Sequence, residues 1–313
     1  MTSPSIKPAP LEWPTWCVVF AIYGGWILTI TFYTQLPVWF SHPVLIFVTA
    51  WFMSLQHEVL HGHPTPWRGF NRALVLFPIS PWFPYDLYRD SHLAHHQDAN
   101  LTLPGIDPES NFVTREAYAQ LPRYRQRWLS FQRTLTGRLL VFSGLSAWHV
   151  WSNSMADILK GDRRYLGTWT IHLSLLAVLL YWVDRQAEMS PWVWLLGLAY
   201  PALALIVLRS FFEHRAAPLP EHRIVINEAN VFWRLFYLNN NFHAVHHEQP
   251  SLSWYRIPKA YQSDRLGYLE RNGGFLIHGY ASLFRRFLFK PVDTPAHPFA
   301  SSNSTHEPED YKP

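Results

Sequence analysis

Four stretches of this chain are apolar over close to the ~20 residues that a helix needs to cross a bilayer. They run from about Trp16 to Tyr33, Pro43 to His61, Thr168 to Val183 and Pro191 to Phe212. The link TQLPVWFSH joins the first two, and DRQAEMS joins the last two. Links this short predict two helical hairpins. Residues 69–85 are apolar too, but Pro78, Pro81 and Pro84 interrupt them. That pattern predicts an interfacial or re-entrant segment, not a further span. A similar short apolar stretch covers Leu139–Trp151, and the polar, Arg-rich Thr114–Gly137 predicts a helix outside the membrane. The first apolar run has no small-residue cleavage site after it and is expected to be a retained helix, not a signal peptide. The whole, 1–313, is expected to be one domain, with residues 1–14 an N-terminal tail and the Pro/Ser-rich 292–313 a disordered C-terminal tail.

Composition agrees with a membrane protein. Charged residues make up 15% of the chain, well below the roughly 25% of soluble domains. A mean hydropathy of −0.07 conceals the segregation of apolar runs from His- and Arg-rich ones. The single cysteine, Cys17, excludes an intramolecular disulfide and an iron–sulfur ligand set. The net charge of +4 is expected to face anionic lipid headgroups, and no nucleic-acid motif accompanies it. Of 26 basic residues, 12 lie between the second and third apolar runs and 12 follow Ile206. The positive-inside rule then puts both termini and the long middle segment in the cytosol.

This topology gathers nine histidines on one membrane face. His57 and His61 (HEVLH) end the second run, and His92, His95 and His96 (HLAHH) lie in the middle segment. His214 (EHR) ends the fourth run, and His243, His246 and His247 (HAVHH) follow it. On a helix, residues at i and i+4 share one face, so His57 and His61 can reach one metal. In each HxxHH triplet the adjacent pair diverges and can serve two different metals. Imidazole suits iron, zinc, copper and nickel, and nine donors are about right for two ions. Metal-bound His usually donates its other ring N–H to a carboxylate or carbonyl. The nearby candidates are Glu58, Asp90, Asp98, Glu213 and Glu248, with Asn240, His63 and Ser210 as further supports. For Asp98 and Glu248 a solvated surface role is at least as good a reading. For the Asn239–Asn241 run, a cap or turn is the stronger use. His149, His172, His222 and His278 stand alone and are read as structural, and His42, His297 and His306 receive no role. HEVLH also matches a zinc-protease pattern, but that reading leaves seven clustered histidines idle, and the chain has no Asp-Gly dipeptide to complete such a site.

With HEVLHGH (57–63), HLAHH (92–96), RSFFEHRA (209–216) and NNNFHAVHHEQP (239–250) in hand, the chain resembles the membrane-bound fatty acid desaturase and hydroxylase superfamily. The resemblance covers about Pro43–Pro258. It implies an all-α integral membrane protein whose four spans carry a cytosolic helical cap with a histidine-rich di-metal site. It further implies two iron ions on the nine histidines, O₂ activation, and hydrogen abstraction from a lipid acyl chain. The expected reaction is fatty acyl desaturation. The alternatives within the superfamily are fatty acid, alkane or carotenoid hydroxylation or ketolation, and decarboxylation to terminal alkenes. In acyl-CoA desaturases an Asn stands at the position of Ser210, so this chain departs from them there. No haem motif is fused, which implies a separate electron donor: a ferredoxin, a rubredoxin, or a b-type cytochrome with its reductase. A bacterial inner membrane is the expected location. A metal carrier, the reading from a different class, predicts charged or His residues lining the spans on both sides, whereas the histidines here cluster on one side, with only His172 inside the third span. Acyl-tunnel candidates are Trp51–Leu55, Phe77–Tyr85 and Phe232–Leu238.

Overall fold

The computed structural model describes residues 11–96 and 101–300. Asp98 and His306 lie outside the described residues. Four helices are long and apolar enough to cross a membrane: Trp13–Thr31, Val38–Leu60, Leu166–Ala187 and Val193–Ser210. At 1.5 Å per residue they span about 27 to 35 Å, matching a hydrocarbon core. The second begins behind Pro37 and accommodates Pro43 internally. The third is longer than its apolar run, because Asp184, Arg185 and Gln186 continue the helix until Glu188 turns left-handed at φ 51°. The fourth opens with a π-helical stretch, Val193–Ala199, and becomes regular from Tyr200.

The two hairpins meet on tryptophan. Trp26 of the first span lies 5.2 Å from Trp182 of the third and 5.6 Å from Trp194 of the fourth, ring centre to ring centre. Phe77 closes the same cluster at 6.2 Å. Large rings buried edge-on supply most of the apolar area that holds such bundles together.

The proline-broken segment behaves as its sequence suggests. A short amphipathic helix, Arg68–Val75, leads into irregular backbone and then into the helix Tyr85–His96. Irregular backbone buried among spans needs its polar groups met by protein. Here the Pro81 carbonyl faces His172 Nε2 at 3.0 Å, and the Trp82 carbonyl accepts from Trp151 Nε1 at 2.8 Å. The Trp82 ring N–H in turn reaches the Ala199 carbonyl at 2.9 Å. His172 is thus a buried structural histidine.

The remaining elements form the cap. The predicted helix over 114–137 is broken into Arg115–Gln120 and Arg123–Gln132, because Pro122 cannot continue the first, and a short turn of helix at Leu135–Gly137 follows. The apolar stretch Leu139–Trp151 lies inside a longer helical run, Arg138–Phe142 and Ser143–Leu159. After the fourth span come short helices at Val231–Phe236, His243–Glu248, Ile257–Ser263, Arg265–Arg271 and Tyr280–Phe287. Two-residue strands, Ile226–Asn227 and Leu276–Ile277, pair in parallel.

Both expected tails are corrected in part. Glu12 is buried and bonded to Thr15, His63 and Ser253, and helix starts at Trp13. Residues 292–300 are not a loose tail. Val113 N–H donates to the Pro295 carbonyl at 3.0 Å, and His297 N–H to the Val113 carbonyl at 2.9 Å. His297, given no role from sequence, is fully buried with its Nε2 3.0 Å from Thr102 Oγ1.

Candidate metal centre

All nine predicted histidines converge at the junction of spans and cap. His57 and His61 come from the last turn of the second span, and His92, His95 and His96 from the end of Tyr85–His96. His214 follows the fourth span and is held by a bridge to Ile224. The same segment binds the third group: Ala244 N–H donates to the Val225 carbonyl at 3.0 Å, and Asn227 N–H to the Asn241 carbonyl at 2.8 Å. Residues 224–227 are therefore the shelf that brings His214 and the helix His243–Glu248 together.

The rings sort into two sets of four. His57, His61, His92 and His246 offer ligand atoms within 4.8 Å of one another, and so do His95, His214, His243 and His247. His96 lies between the sets. Its Nε2 is 3.1 Å from His92 Nε2 and 2.9 Å from His246 Nε2, while its ring stacks 4.2 Å from that of His247. Each adjacent pair divides as helical geometry demands, His95 from His96 and His246 from His247.

The donor chemistry fits cations. Asp107 accepts from His95 Nδ1 at 2.8 Å, Glu109 from His92 Nδ1 at 2.9 Å, and Asn240 Oδ1 from His243 Nδ1 at 3.1 Å. A neutral ring protonated on Nδ1 presents a lone pair on Nε2. The Nε2 atoms of His95 and His243 nonetheless lie 3.0 and 3.1 Å from His214 Nε2, and His61 Nε2 is buried without any partner. Convergent lone pairs repel one another, and a shared cation removes the conflict.

Electrostatics favour the same state. Burial, helped by neighbouring rings, pushes His96 and His214 down to about 3 and holds His243, His246 and His247 well below the usual imidazole value. These rings stay neutral, as ligands must. His95 is the exception. Burial pulls it down, but Glu109 and Asp107 outweigh that and hold it up to about 9. Two carboxylates that favour a proton there also favour a metal ion. Glu109 is itself held below the ordinary carboxylate range, since His92 and His95 overcome its burial. Burial pushes Glu213 up against the pull of Arg209.

Two of these carboxylates, Asp107 and Glu109, were not singled out from sequence. They sit in the irregular segment 101–113, and only a generic expectation of carboxylate partners pointed to them. The predicted supports divide. Asn240 spans both sets, with Nδ2 3.4 Å from His57 Nε2 and 3.3 Å from Glu213 Oε1. Glu213 lies 3.6 Å from His243 Nδ1 and pairs with Arg209 at 2.7 Å. Asp90 bonds instead to Arg89 at 2.7 Å and to Tyr165, away from the histidines. Glu248 pairs with Arg271 on an exposed face. Ser210 Oγ turns back to the Val207 carbonyl at 3.1 Å. His63 belongs to neither set. It joins Glu12 at 2.7 Å and Glu58 at 3.8 Å in a buried group that ties the first span to the second, and Glu58 also accepts from Trp254 N–H at 3.0 Å.

A cavity of about 300 Å³ opens against the centre, with His92 and His214 in its wall. Met53, Ser80 and Phe83 line it, as two of the predicted tunnel segments require. The third segment, Phe232–Leu238, does not. Phe236 and Tyr237 pack into the core, and the Phe236 carbonyl accepts from Ser54 Oγ at 2.9 Å.

The family model described as fatty acid desaturase matches residues 34–278. The chain belongs to the fatty acid desaturase family. A comparison with curated proteins finds no match. As a family member the chain is an oxidoreductase of desaturase or hydroxylase type, a helical membrane protein with a histidine-rich site able to hold metal. The second, third and fourth spans and all nine histidines fall inside the matched region, and the first span precedes it.

Proposed function

We propose that this chain is an O₂-dependent di-iron oxidase of lipid acyl chains, a fatty acyl desaturase. The observation that carries the reading is the pair of histidine sets beside a cavity that His92 and His214 reach and that Met53, Leu203, Ile206 and Val207 of the spans line in part. His57, His61, His92, His96 and His246 would hold one ion, and His95, His214, His243 and His247 the other. Two irons bound there would supply O₂ activation and hydrogen abstraction. The protein's own part is placement. Asp107, Glu109 and Asn240 fix ring orientation, and Met53, Phe83, Leu203 and Ile206 exclude water from the acyl chain. Electrons come from a separate donor of the ferredoxin, rubredoxin or b-type cytochrome class. The location is the bacterial inner membrane, with both termini and the metal centre cytosolic.

One observation favours a second reading, insertion of oxygen or decarboxylation instead of desaturation. Ser210 replaces the Asn of acyl-CoA desaturases, and its hydroxyl faces Val207 and not the histidines. Gas chromatography–mass spectrometry of total lipids and volatile hydrocarbons, comparing cells expressing this chain with cells expressing His246→Ala, separates the two. A new unsaturated fatty acid absent from the variant is expected. A hydroxylated acid or terminal alkene would replace desaturation with the second reading, and equal products from the variant would remove His246 from the site.

A further inference from the structure

Three arginines line the cavity beside the metal centre: Arg133, Arg138 and Arg209. Two have carboxylate partners. Arg133 pairs with Asp293 at 2.9 Å, and Arg209 with Glu213 at 2.7 Å. Arg138 has none. Among the described residues no carboxylate lies within 4.0 Å of it, its Nε is buried without a hydrogen-bond partner, and its Nη2 makes one long contact, 3.4 Å, to the Ser210 carbonyl. Its exposure is only 5%. The guanidinium is sandwiched between rings, 3.7 Å from the centre of Phe142 and 5.5 Å from that of Phe211.

An unpaired buried charge is costly, and a fork of N–H donors is the side chain best matched to a carboxylate. The cavity's own acids are already engaged: Asp107 with His95, Glu109 with His92, Glu213 with Arg209. Arg138 is left as the cavity arginine with no carboxylate of its own. Its walls are mixed. Beside the polar groups, Met53, Phe83, Phe142, Leu203, Ile206 and Val207 line the cavity as well. Ser210, whose carbonyl Arg138 reaches, ends the fourth span four residues before His214, and both residues line the cavity.

We propose that Arg138 binds the carboxylate of a free fatty acid inside this cavity, beside the metal centre. The substrate is then an unesterified acid held carboxyl-first. The carbon presented for oxidation is counted from the carboxyl end, not from the methyl end. A thioester or ester is neutral at the same atoms and would leave the guanidinium unpaired, so the site discriminates against it. Burial lowers Arg138 only to about 9, so it remains cationic at neutral pH. This proposal rests on the oxidase reading for its chemistry but not for its binding.

The test is direct binding to the full-length chain purified with its metals. Radiolabelled dodecanoate is displaced by unlabelled dodecanoate, dodecanol or dodecanoyl-CoA. Dodecanoate should compete at least tenfold better than either compound, since neither carries a carboxylate on its acyl chain. Arg138→Gln should weaken dodecanoate at least tenfold and leave dodecanol unchanged, while Arg138→Lys recovers part of the loss. Equal competition by the alcohol or the thioester, or full acid affinity in Arg138→Gln, overturns the proposal. If the glutamine variant does not fold, the competitor order on the unaltered chain decides alone. Metal content of the same preparations is measured by mass spectrometry. Its absence would refute the di-iron reading and leave the binding result standing.

Discussion

At the scale of single residues, the centre depends on groups that touch the histidines as much as on the histidines. A ring that can rotate offers its lone pair in the wrong direction, and the hydrogen bond on Nδ1 prevents this. Asp107 performs that service for His95 from a fully packed position, and its Oδ2 also accepts from Thr102 N–H at 2.8 Å, which anchors the carboxylate to its own loop. Asp107→Asn keeps the shape but removes the charge that attracts a cation to His95. We expect metal affinity to fall by roughly 10- to 100-fold, measured by competition with a chelator of known affinity. Unchanged affinity would assign Asp107 to loop stability alone. Asn240 has a different use. The turn before it is left-handed at Leu238 and Asn239, with φ 47° and 57°, which Asn tolerates and Leu does not favour. The strain aims Asn240 at both ring sets while Asn239 holds the Trp254 carbonyl at 3.0 Å.

At the scale of elements, the helix Tyr85–His96 matters most, because it supplies one ring to one set, one to the other, and His96 between them. It is fixed at its start by Asp86, which accepts from Arg72 Nε at 2.8 Å and from Arg72 Nη2 at 2.6 Å. Arg89 adds a contact at 3.3 Å one turn on. These bonds join it to the short helix Arg68–Val75, whose last turn is also tied to the first span by Tyr23 donating to the Leu74 carbonyl. Asp86→Ala should cost about 2 kcal/mol, since charged hydrogen bonds are lost but Arg72 is partly open to solvent. A lowered unfolding temperature in detergent checks this. No change would mean that apolar packing alone sets the angle of this helix.

At the scale of the whole molecule, the cap is closed by contacts distant in sequence. Residues 295–297 pin the loop that carries Asp107 and Glu109, and Glu12 and Glu58 pin the segment after the last histidine group through His63, Ser253 and Trp254. Buried neutral rings make this closure sensitive to pH. His96 and His214 titrate near 3 when folded, against about 6.5 unfolded. As pH falls below 6.5 the unfolded chain takes up protons that the folded chain cannot. Stability is lost between about pH 6.5 and 3, on the order of 1 kcal/mol per ring per pH unit. His95 has the opposite sign. Its folded value near 9 contributes stability fully present below 6.5 and lost as pH rises through 9. Unfolding temperature of the metal-free protein should therefore peak near pH 6.5 and fall on both sides. A temperature that rises steadily from pH 5 to pH 9 would contradict the neutral assignment of the buried rings.

Much of this was legible in the chain itself. The spans, their pairing into hairpins and the four histidine groups depend on local periodicity and short spacings, which a linear sequence carries in full. The division of His95 from His96 and of His246 from His247 likewise follows from helical geometry, because neighbours on a helix diverge. Tertiary structure alone decided the rest. Asp107 and Glu109 lie in an irregular loop with no motif, and they become partners of His95 and His92 only because the chain folds back on itself. Asp90, closer in sequence to the histidines, turned outward to Arg89 and Tyr165. Residues 292–300 read as a polar tail because the bonds that hold them, to Thr102, Val113 and Arg133, reach more than 150 positions away. Arg138 looked like one basic residue among many. That it lacks a carboxylate is a property of the packed cavity, since charge balance is settled by neighbours in space and not by neighbours in sequence.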